Sequence, residues 1–187
     1  MNYKLRFCPL TKIYNRYEFN LQYERIISNY NKLKKSFTFA IIDLDNFKKV
    51  NDSYGHPYWD NVLYVIWTFL KKQFWNENIS VFRIWWEEFA ILANDKVDYK
   101  YILEKLAYVL NILNNKRILE EREKIDRRTN VHPKDNYIIH KQTFSAWVKY
   151  FDWNLWEDIT CKQAYDDVDA ALYYVKHNGR NNIKLTK

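Results

Sequence analysis

The sequence is poor in glycine, in cysteine and in long apolar runs, and each shortage excludes a class of protein. It has 2 glycines in 187 residues, whereas average usage would give roughly 13. Two cysteines, Cys8 and Cys161, exclude a disulfide framework and a cysteine metal cluster. The longest nearly apolar stretch, residues 62–70, is too short to span a membrane, and the first residues lack the apolar region of a signal peptide. We therefore expect a cytoplasmic protein with no membrane partner.

Hydrophobic, aromatic and basic residues are abundant. Hydrophobic residues make up 48% of the chain and aromatic residues 19%, which excludes a disordered protein. The length, with no internal repeat and no linker, predicts one domain over residues 1–187. The net charge of +7 suits polyphosphate ligands or nucleic acid without choosing between them. The basic residues are spread along the whole chain, so a solvated basic surface is the favoured explanation of the charge.

The hydrophobic periodicity predicts helices and strands in alternation. Helices are expected at residues 10–30, 58–74, 98–113 and 158–178, and strands at 37–42, 80–84, 89–92, 137–150 and 182–185. Residues 51–57 have the composition of a turn, and the charged segment 114–136 predicts a surface insertion. This order favours an α/β (α+β) domain in which helices pack on an antiparallel-rich sheet.

Four acidic residues, Asp43, Asp45, Glu87 and Glu88, form the best candidate site. The two aspartates follow a predicted buried strand, and the two glutamates lie at a predicted hairpin. If the two strands are neighbours, these acids converge at one sheet edge, where carboxylates can hold Mg²⁺ against substrate phosphates. The alternative is that Asp43 caps the following turn and the glutamates are solvated hairpin residues, which is the favoured interpretation for isolated acids.

The acids belong to a longer pattern of six segments in a fixed order. The segments are LTKIYNR (10–16), DLDNFKKVND (43–52), YGHPYWD (54–60), RIWWEEF (83–89), SAWV (145–148) and ALYYVKHNGRN (171–181). Together they resemble the motifs of the GGDEF family of diguanylate cyclases. The resemblance implies a polymerase-palm-like, ferredoxin-like fold. It also implies that Mg²⁺ (or Mn²⁺) assists the condensation of two GTP molecules into cyclic di-GMP across a transient homodimer.

The resemblance also implies roles for individual residues. Asp43, Glu87 and Glu88 are similar to the family's catalytic and metal-binding carboxylates, with the carbonyl of Leu44 as a further metal ligand. Glu87 is in addition a candidate general base.

Five further residues match the family's substrate-binding positions. Asn51 and Asp60 are similar to the residues that read guanine, and Phe47 lies at another substrate-binding position. Lys176 and Arg180 resemble the phosphate-binding residues. Their four-residue spacing would place them on one face if the helical turn continued past the glycine between them. Ordinary basic residues near a helix C-terminus are the alternative.

The sequence departs from the family pattern mainly at glycine positions. Tryptophan replaces glycine at four of them, namely Trp59, Trp85, Trp86 and Trp147. A type I′ hairpin turn needs positive φ at both central residues, which bulky side chains resist, and two indoles there would fill the GTP pocket. Cys8 stands where an aspartate is usual. The R-x-x-D product site of the family reads Asn76 and Ile79 here, so we expect no feedback inhibition through it.

Two explanations of the tryptophans remain open. UGA is read as tryptophan under one variant genetic code and as glycine under another. A gene translated with the wrong one of these codes would show tryptophan at glycine positions and leave the surrounding residues unchanged. Returning all 8 tryptophans to glycine would give at most 10 glycines, close to the roughly 13 expected. The alternative is a true loss of glycine in a degenerate copy.

Three functions therefore stay under consideration. The retained acids, with Lys176 and Arg180, favour an active diguanylate cyclase, whereas Trp85 and Trp86 favour a degenerate module that binds a nucleotide or a partner protein. A nucleic-acid-binding palm domain is the weakest candidate, because acidic residues in the cleft repel a phosphate backbone unless metal is present.

Overall fold

The computed structural model describes residues 5–115, 141–155 and 157–186, apart from the side chains of residues 50, 51 and 53–58. The described strands are β1 (Tyr14–Asn15), β2 (Phe37–Leu44), β3 (Ile79–Arg83), β4 (Glu88–Ala93), β5 (Phe144–Phe151) and β6 (Ile183–Thr186). The described helices are α1 (Arg16–Leu33), α2 (Phe47–Gln73), α3 (Tyr99–Asn115) and α4 (Cys161–His177).

The strands form one sheet in the order β1-β3-β4-β2-β5-β6. The pairs β3–β4, β4–β2 and β2–β5 are antiparallel, and the outer pairs β1–β3 and β5–β6 are parallel. The succession β2-α2-β3-β4-α3-β5 is the βαββαβ unit of ferredoxin-like folds. The expected antiparallel-rich sheet with packed helices is thereby confirmed.

Helices cover both faces of the sheet, and β2 supplies the core on each side. All eight residues of β2 are buried. Ala40, Ile42 and Leu44 pack with α2 and α3, while Phe39 and Ile41 pack with α1 and α4. Because side chains alternate along a strand, the next odd-numbered residue of β2, Asp43, also lies on the α1/α4 face.

The first two helices differ from the sequence-based expectation at their starts. Helix α1 begins at Arg16, because residues 14–15 pair with β3 and the side chain of Asn15 caps the helix by accepting from the amide of Glu18 at 3.1 Å. Helix α2 runs without interruption from Phe47 to Gln73, so the turn predicted at residues 51–57 was wrong. Packing of its apolar face on the sheet outweighs the local turn preference of this segment.

A left-handed turn connects the end of α4 to β6. Thr160 and Gln163 form a capping box at its start, and the helix ends at His177. Gly179 follows with φ +103°, and Arg180 and Asn181 also have positive φ. The chain thus leaves the helix through three consecutive left-handed residues. None of the described helices is long and apolar enough to cross a membrane, and most of the predicted insertion lies outside the described residues.

Candidate functional site

Two acidic residues from neighbouring strands face each other at one end of the sheet. Asp43, near the end of β2, is the direct cross-strand partner of Glu88, the first residue of β4. Opposed residues of an antiparallel pair share a face of the sheet, so both carboxylates lie on the α1/α4 face. The amide of Leu44 donates to the carbonyl of Glu87 at 3.2 Å and ties the hairpin to the end of β2. The predicted convergence of these acids is confirmed for Asp43 and the hairpin.

The last turn of α4 brings a basic residue to the same place. The Nζ of Lys176 lies 2.7 Å from Oδ2 of Asp43. Asp43 is almost fully buried, and the lysine side chain is about one third exposed. Asp43 therefore contacts an ammonium group and does not point into the apolar core.

Burial and mutual repulsion raise the pKa values of both acids. Burial raises the pKa of Asp43 to about 6, against the opposing effect of Lys176 and with a further rise from Glu87 and Asp45. Burial likewise raises the pKa of Glu88 to about 7, and the charge of Asp43 adds to it. Clustered acids with raised pKa values are typical of functional sites, because a structural role rarely requires such repulsion.

Asp45 has a different role from the other acids of the predicted set. Its carboxylate accepts hydrogen bonds from the hydroxyls of Thr143 and Ser145, each at 2.7 Å, and from the amide of Asn181 at 2.9 Å. These contacts join the end of β2 to the start of β5 and to the left-handed turn after α4. The sequence motif contained Ser145 and Asn181, but their contacts with Asp45 become visible only in the folded chain.

The predicted phosphate-binding residues lie on different parts of the chain. Lys176 is in α4, but Arg180 lies beyond the helix end, is exposed, and has φ +57°. The helix ends before Gly179, as the sequence predicted, so the condition for placing Lys176 and Arg180 on one helix face is not met.

The remaining predicted substrate-binding residues all belong to α2. Phe47 is its first residue, Asp60 is exposed, and Asn51 lies in the first turns with its side chain outside the described part of the structure. The centroid of the Phe47 ring is 3.5 Å from that of Trp59. This is closer than the 4.5–7 Å usual for aromatic pairs, so the two rings are crowded.

The hairpin accommodates its tryptophans without positive φ. Neither Trp85 nor Trp86 is among the described residues with left-handed backbone, and their exposed fractions are 52% and 67%. The amides of Ile84 and Trp85 both donate to the carbonyl of Glu88, at 2.9 and 3.3 Å. The connection is longer than a two-residue type I′ turn, whose positive φ values bulky side chains resist. The guanidinium of Arg16 lies 4.2 Å from the centroid of the Trp85 ring.

The other two tryptophans at family glycine positions differ in how their indole N–H groups are satisfied. The Nε1 of Trp147 donates to the hydroxyl of Thr186 at 3.0 Å. Trp59 is buried, and its Nε1 has no partner among the described residues. A buried unpaired donor costs about 1–3 kcal/mol, so position 59 is poorly suited to tryptophan.

The carboxylates of Asp43, Glu87 and Glu88 are the kind of oxygen ligand that a hard divalent cation prefers, but in this structure they do not converge on one point. No cluster of three His, Cys, Asp or Glu side chains with metal-binding spacing occurs among the described residues. Burial raises the pKa values of Asp43 and Glu88 even though Lys176 opposes the rise, so the ionised acids would be stabilised by a further cation. Oxygen ligands of this kind suit Mg²⁺ or Mn²⁺, with Lys176 competing for Asp43.

Comparison with known proteins gives consistent matches along almost the whole chain. The profile described as "Diguanylate cyclase, GGDEF domain" matches residues 7–182. The chain is 30% identical over 177 residues to the probable diguanylate cyclase DgcT of Escherichia coli, covering 94% of this chain and 34% of DgcT. It is 25% identical over 186 residues to the diguanylate cyclase DgcS of Shewanella oneidensis, covering 100% of this chain and 54% of DgcS. The chain thus spans between a third and about half of these relatives.

A solved structure has the same fold. The coiled-coil and GGDEF domain of DgcB from Caulobacter crescentus, in complex with c-di-GMP, aligns with a TM-score of 0.81 at 17% identity. The alignment covers 98% of this chain and 87% of the DgcB chain. At this identity the likeness concerns the fold alone.

Proposed function

Because the chain belongs to the diguanylate cyclase GGDEF domain family, we propose that it condenses two GTP molecules into cyclic di-GMP. The observation that carries the proposal is the cross-strand pair of Asp43 and Glu88 with Lys176 beside it. A buried acid, a half-buried acid that it repels and one lysine provide charges suited to a cation and a triphosphate. We further propose a transient homodimer, one GTP on each copy, and a cytoplasmic location for the single domain.

The acids and the lysine would divide the chemistry between them. Asp43, Glu87 and Glu88 would hold Mg²⁺ or Mn²⁺ with the carbonyl of Leu44, and the cation would spread phosphate charge and make the attacking hydroxyl more acidic. The 3′-hydroxyl of each GTP attacks the α-phosphate of the other, so two phosphodiester bonds form and two pyrophosphates leave. Glu87 is the proposed base for the hydroxyl proton.

The remaining residues would position the nucleotide. Lys176 and Arg180 would neutralise the phosphates, and the contact of Lys176 with Asp43 would loosen as the substrate arrives. Asn51 and Asp60 would pair with the guanine edge, with Phe47 near them at the start of α2. Such a site would accelerate the reaction by orienting the two nucleotides and by stabilising the charge that develops on the phosphates.

The test is direct. Purified chain is incubated with GTP and Mg²⁺ or Mn²⁺ over a range of protein concentrations, and the nucleotides are separated by chromatography. We expect cyclic di-GMP and pyrophosphate, with a specific activity that rises with protein concentration because two copies are needed. Loss of product in the Asp43→Asn variant would assign the activity to this site. GTP binding without product at any concentration would contradict the proposal.

The tryptophans at the hairpin favour a second candidate, a degenerate module that binds a nucleotide or a protein without catalysis. Trp85 and Trp86 lie next to the glutamates and present two large exposed surfaces. The double variant Trp85→Gly/Trp86→Gly separates the candidates. Activity that appears only in this variant would show that the indoles block an otherwise competent site. Reading the gene is the companion observation, because UGG codons at 85 and 86 would make the tryptophans genuine.

We also propose that the product does not inhibit through the family's usual second site. Asn76 uses its Oδ1 to accept from the amide of Asn78 at 2.8 Å, and Ile79 is buried at the start of β3. Neither offers a guanidinium or a carboxylate to a guanine base. Tight binding of cyclic di-GMP to the Asp43→Asn variant would contradict this.

A further inference from the structure

A second set of contacts reaches the hairpin from the segment before β1. Cys8 sits in a tight loop in which its amide donates to the carbonyl of Ile13, and its carbonyl accepts from the amide of Lys12, both at 2.8 Å. Only 8% of the residue is exposed. Its sulfur faces the end of β3, across the edge of the sheet.

Arg83 links this sulfur to the hairpin. Its Nη1 donates to Sγ of Cys8 at 3.5 Å, and its Nη2 donates to the carbonyl of Trp86 at 2.9 Å. Its Nε is buried without a partner among the described residues. The guanidinium is therefore held at two points, and one of them is the sulfur. Trp86 directly precedes the two glutamates of the proposed site.

The surroundings of the sulfur favour negative charge. Burial is the largest single influence and raises the pKa of the Cys8 thiol, but hydrogen bonding to Thr11 and Arg83 and the charge of Arg83 together outweigh it, so the pKa lies below its ordinary value. Thr11 is itself fully buried, and its hydroxyl has no other partner in the described part of the chain. Donors converging on a sulfur stabilise the thiolate, the form that best accepts from a guanidinium.

We propose that Cys8 is a positioning residue that orients Arg83 and, through the Trp86 carbonyl, fixes the hairpin that carries Glu87 and Glu88. The inference about catalysis rests on the proposed function, whereas the inference about the hairpin does not. A sulfur that only filled space would be replaceable by any side chain of similar size. A sulfur that accepts from Arg83 is replaceable only by another acceptor.

Hydrogen exchange of the hairpin amides tests the proposal without reference to activity. The full chain is compared as wild type, Cys8→Ala, Cys8→Asp and, as matched control, Cys161→Ser. In Cys8→Ala we expect the amides of Ile84 and Trp85 to exchange about tenfold faster, the loss expected for one hydrogen bond to a charged group, with β2 unchanged. Cys8→Asp supplies a carboxylate to Arg83 and should restore the slow exchange, and Cys161→Ser should match the wild type.

The outcomes are distinct. Unchanged exchange at the hairpin in Cys8→Ala, or equally fast exchange in Cys8→Asp, would overturn the proposal. If Cys8→Ala fails to fold, Arg83→Met, which removes the donors and keeps a long unbranched side chain, gives the same comparison for the hairpin amides. Where the chain is active, kcat should fall in Cys8→Ala and recover in Cys8→Asp, with KM for GTP nearly unchanged. Absence of activity in the wild type and in every variant would count against the proposed function. Hydrogen exchange would still test the role of Cys8.

Discussion

Asp43 and Asp45 are two residues apart and equally buried, at 2% and 3% exposed, yet the fold treats them in opposite ways. Asp45 is surrounded by donors from β5 and from the turn after α4. Asp43 has one ammonium group beside it and lies among other acids, with Glu88 directly opposite on β4. One carboxylate accepts from three neutral hydrogen-bond donors, and the other pairs with a lysine while neighbouring acids repel it.

The difference separates an acid with structural contacts, Asp45, from an acid of the proposed site, Asp43. A buried carboxylate that accepts from several donors stabilises the fold, since its removal leaves those donors unpaired. A buried carboxylate beside further acids costs stability in the metal-free chain. Such an arrangement is consistent with a ligand or cation that supplies the missing charge, so the two aspartates should respond differently to the same substitution.

The largest expected effect is the loss of activity in Asp43→Asn. This isosteric change removes the charge proposed to hold the cation, and we expect product formation to fall at least about 100-fold, as when one preorganised electrostatic group is lost. Because the substitution removes a buried charge and its repulsion with Glu88 as well as the pair with Lys176, the free energy of unfolding should not fall by more than about 1 kcal/mol. Turnover of GTP and urea denaturation measure the two quantities. A large loss of stability would instead make Asp43 a structural residue.

The second effect is on stability, in Asp45→Asn. An amide offers one oxygen where the carboxylate offers two, so at least one of the three donors from Thr143, Ser145 and Asn181 loses its acceptor. We expect the free energy of unfolding to fall by about 1–3 kcal/mol, measured by urea denaturation beside Asp43→Asn. Equal stability of the two variants would remove the proposed contrast.

The third effect is a pH dependence of stability in the metal-free chain. The pKa values of Asp43 and Glu88 are raised by folding to about 6 and about 7, so the folded state binds protons more tightly than the unfolded state. Their contribution is fully present below about pH 4 and is lost as the pH rises to about 7. The shift of Asp43 alone, from 3.8 to about 6, corresponds to about 3 kcal/mol, and the partly exposed Glu88 adds a smaller amount, so we expect the free energy of unfolding to decrease by about 3 kcal/mol or slightly more.

Denaturation at a series of pH values in the presence of a chelator measures this decrease. The decrease should be smaller in a double variant Asp43→Asn/Glu88→Gln, which serves as the control. Mg²⁺ should stabilise the wild type more at pH 8 than at pH 5, because the cation needs the ionised acids. A decrease of equal size in the double variant would assign it to other groups.

The smallest effect concerns Lys176, the lysine that pairs with Asp43. Lys176 lowers the pKa of Asp43, so Lys176→Met should raise that pKa by about one unit, measured from the carboxyl carbon resonance of Asp43 as the pH is varied. Lys149→Met is the matched control, because Lys149 pairs with Asp167 at 2.6 Å on the same face of the sheet. The control should leave the Asp43 titration unchanged. A similar shift in both variants would show that the pair with Lys176 has no special effect.

The sequence by itself determined the family, the alternation of helices and strands and the acids at the end of β2 and at the hairpin. Hydrophobic periodicity and short motifs are local properties, and six motifs in order are specific. Helix α2 shows the limit of this reasoning, because a segment with turn composition became helical once its neighbours packed on the sheet. The glycine in the last motif predicted the end of α4, but not that Arg180 and Asn181 would also adopt positive φ.

Only the tertiary structure showed that Asp45 is held by several hydrogen-bond donors and that Asp43 lies beside a lysine and other acids. The motif singled out Asp43 only by resemblance, and the contacts of both aspartates depend on partners about 100 or more residues away, at Thr143, Ser145 and Lys176. The contact of Arg83 with Cys8 spans 75 residues and had no local signal. Charge and hydrogen bonding at a buried site are set by whichever groups the packing brings together, and the sequence order does not contain that information.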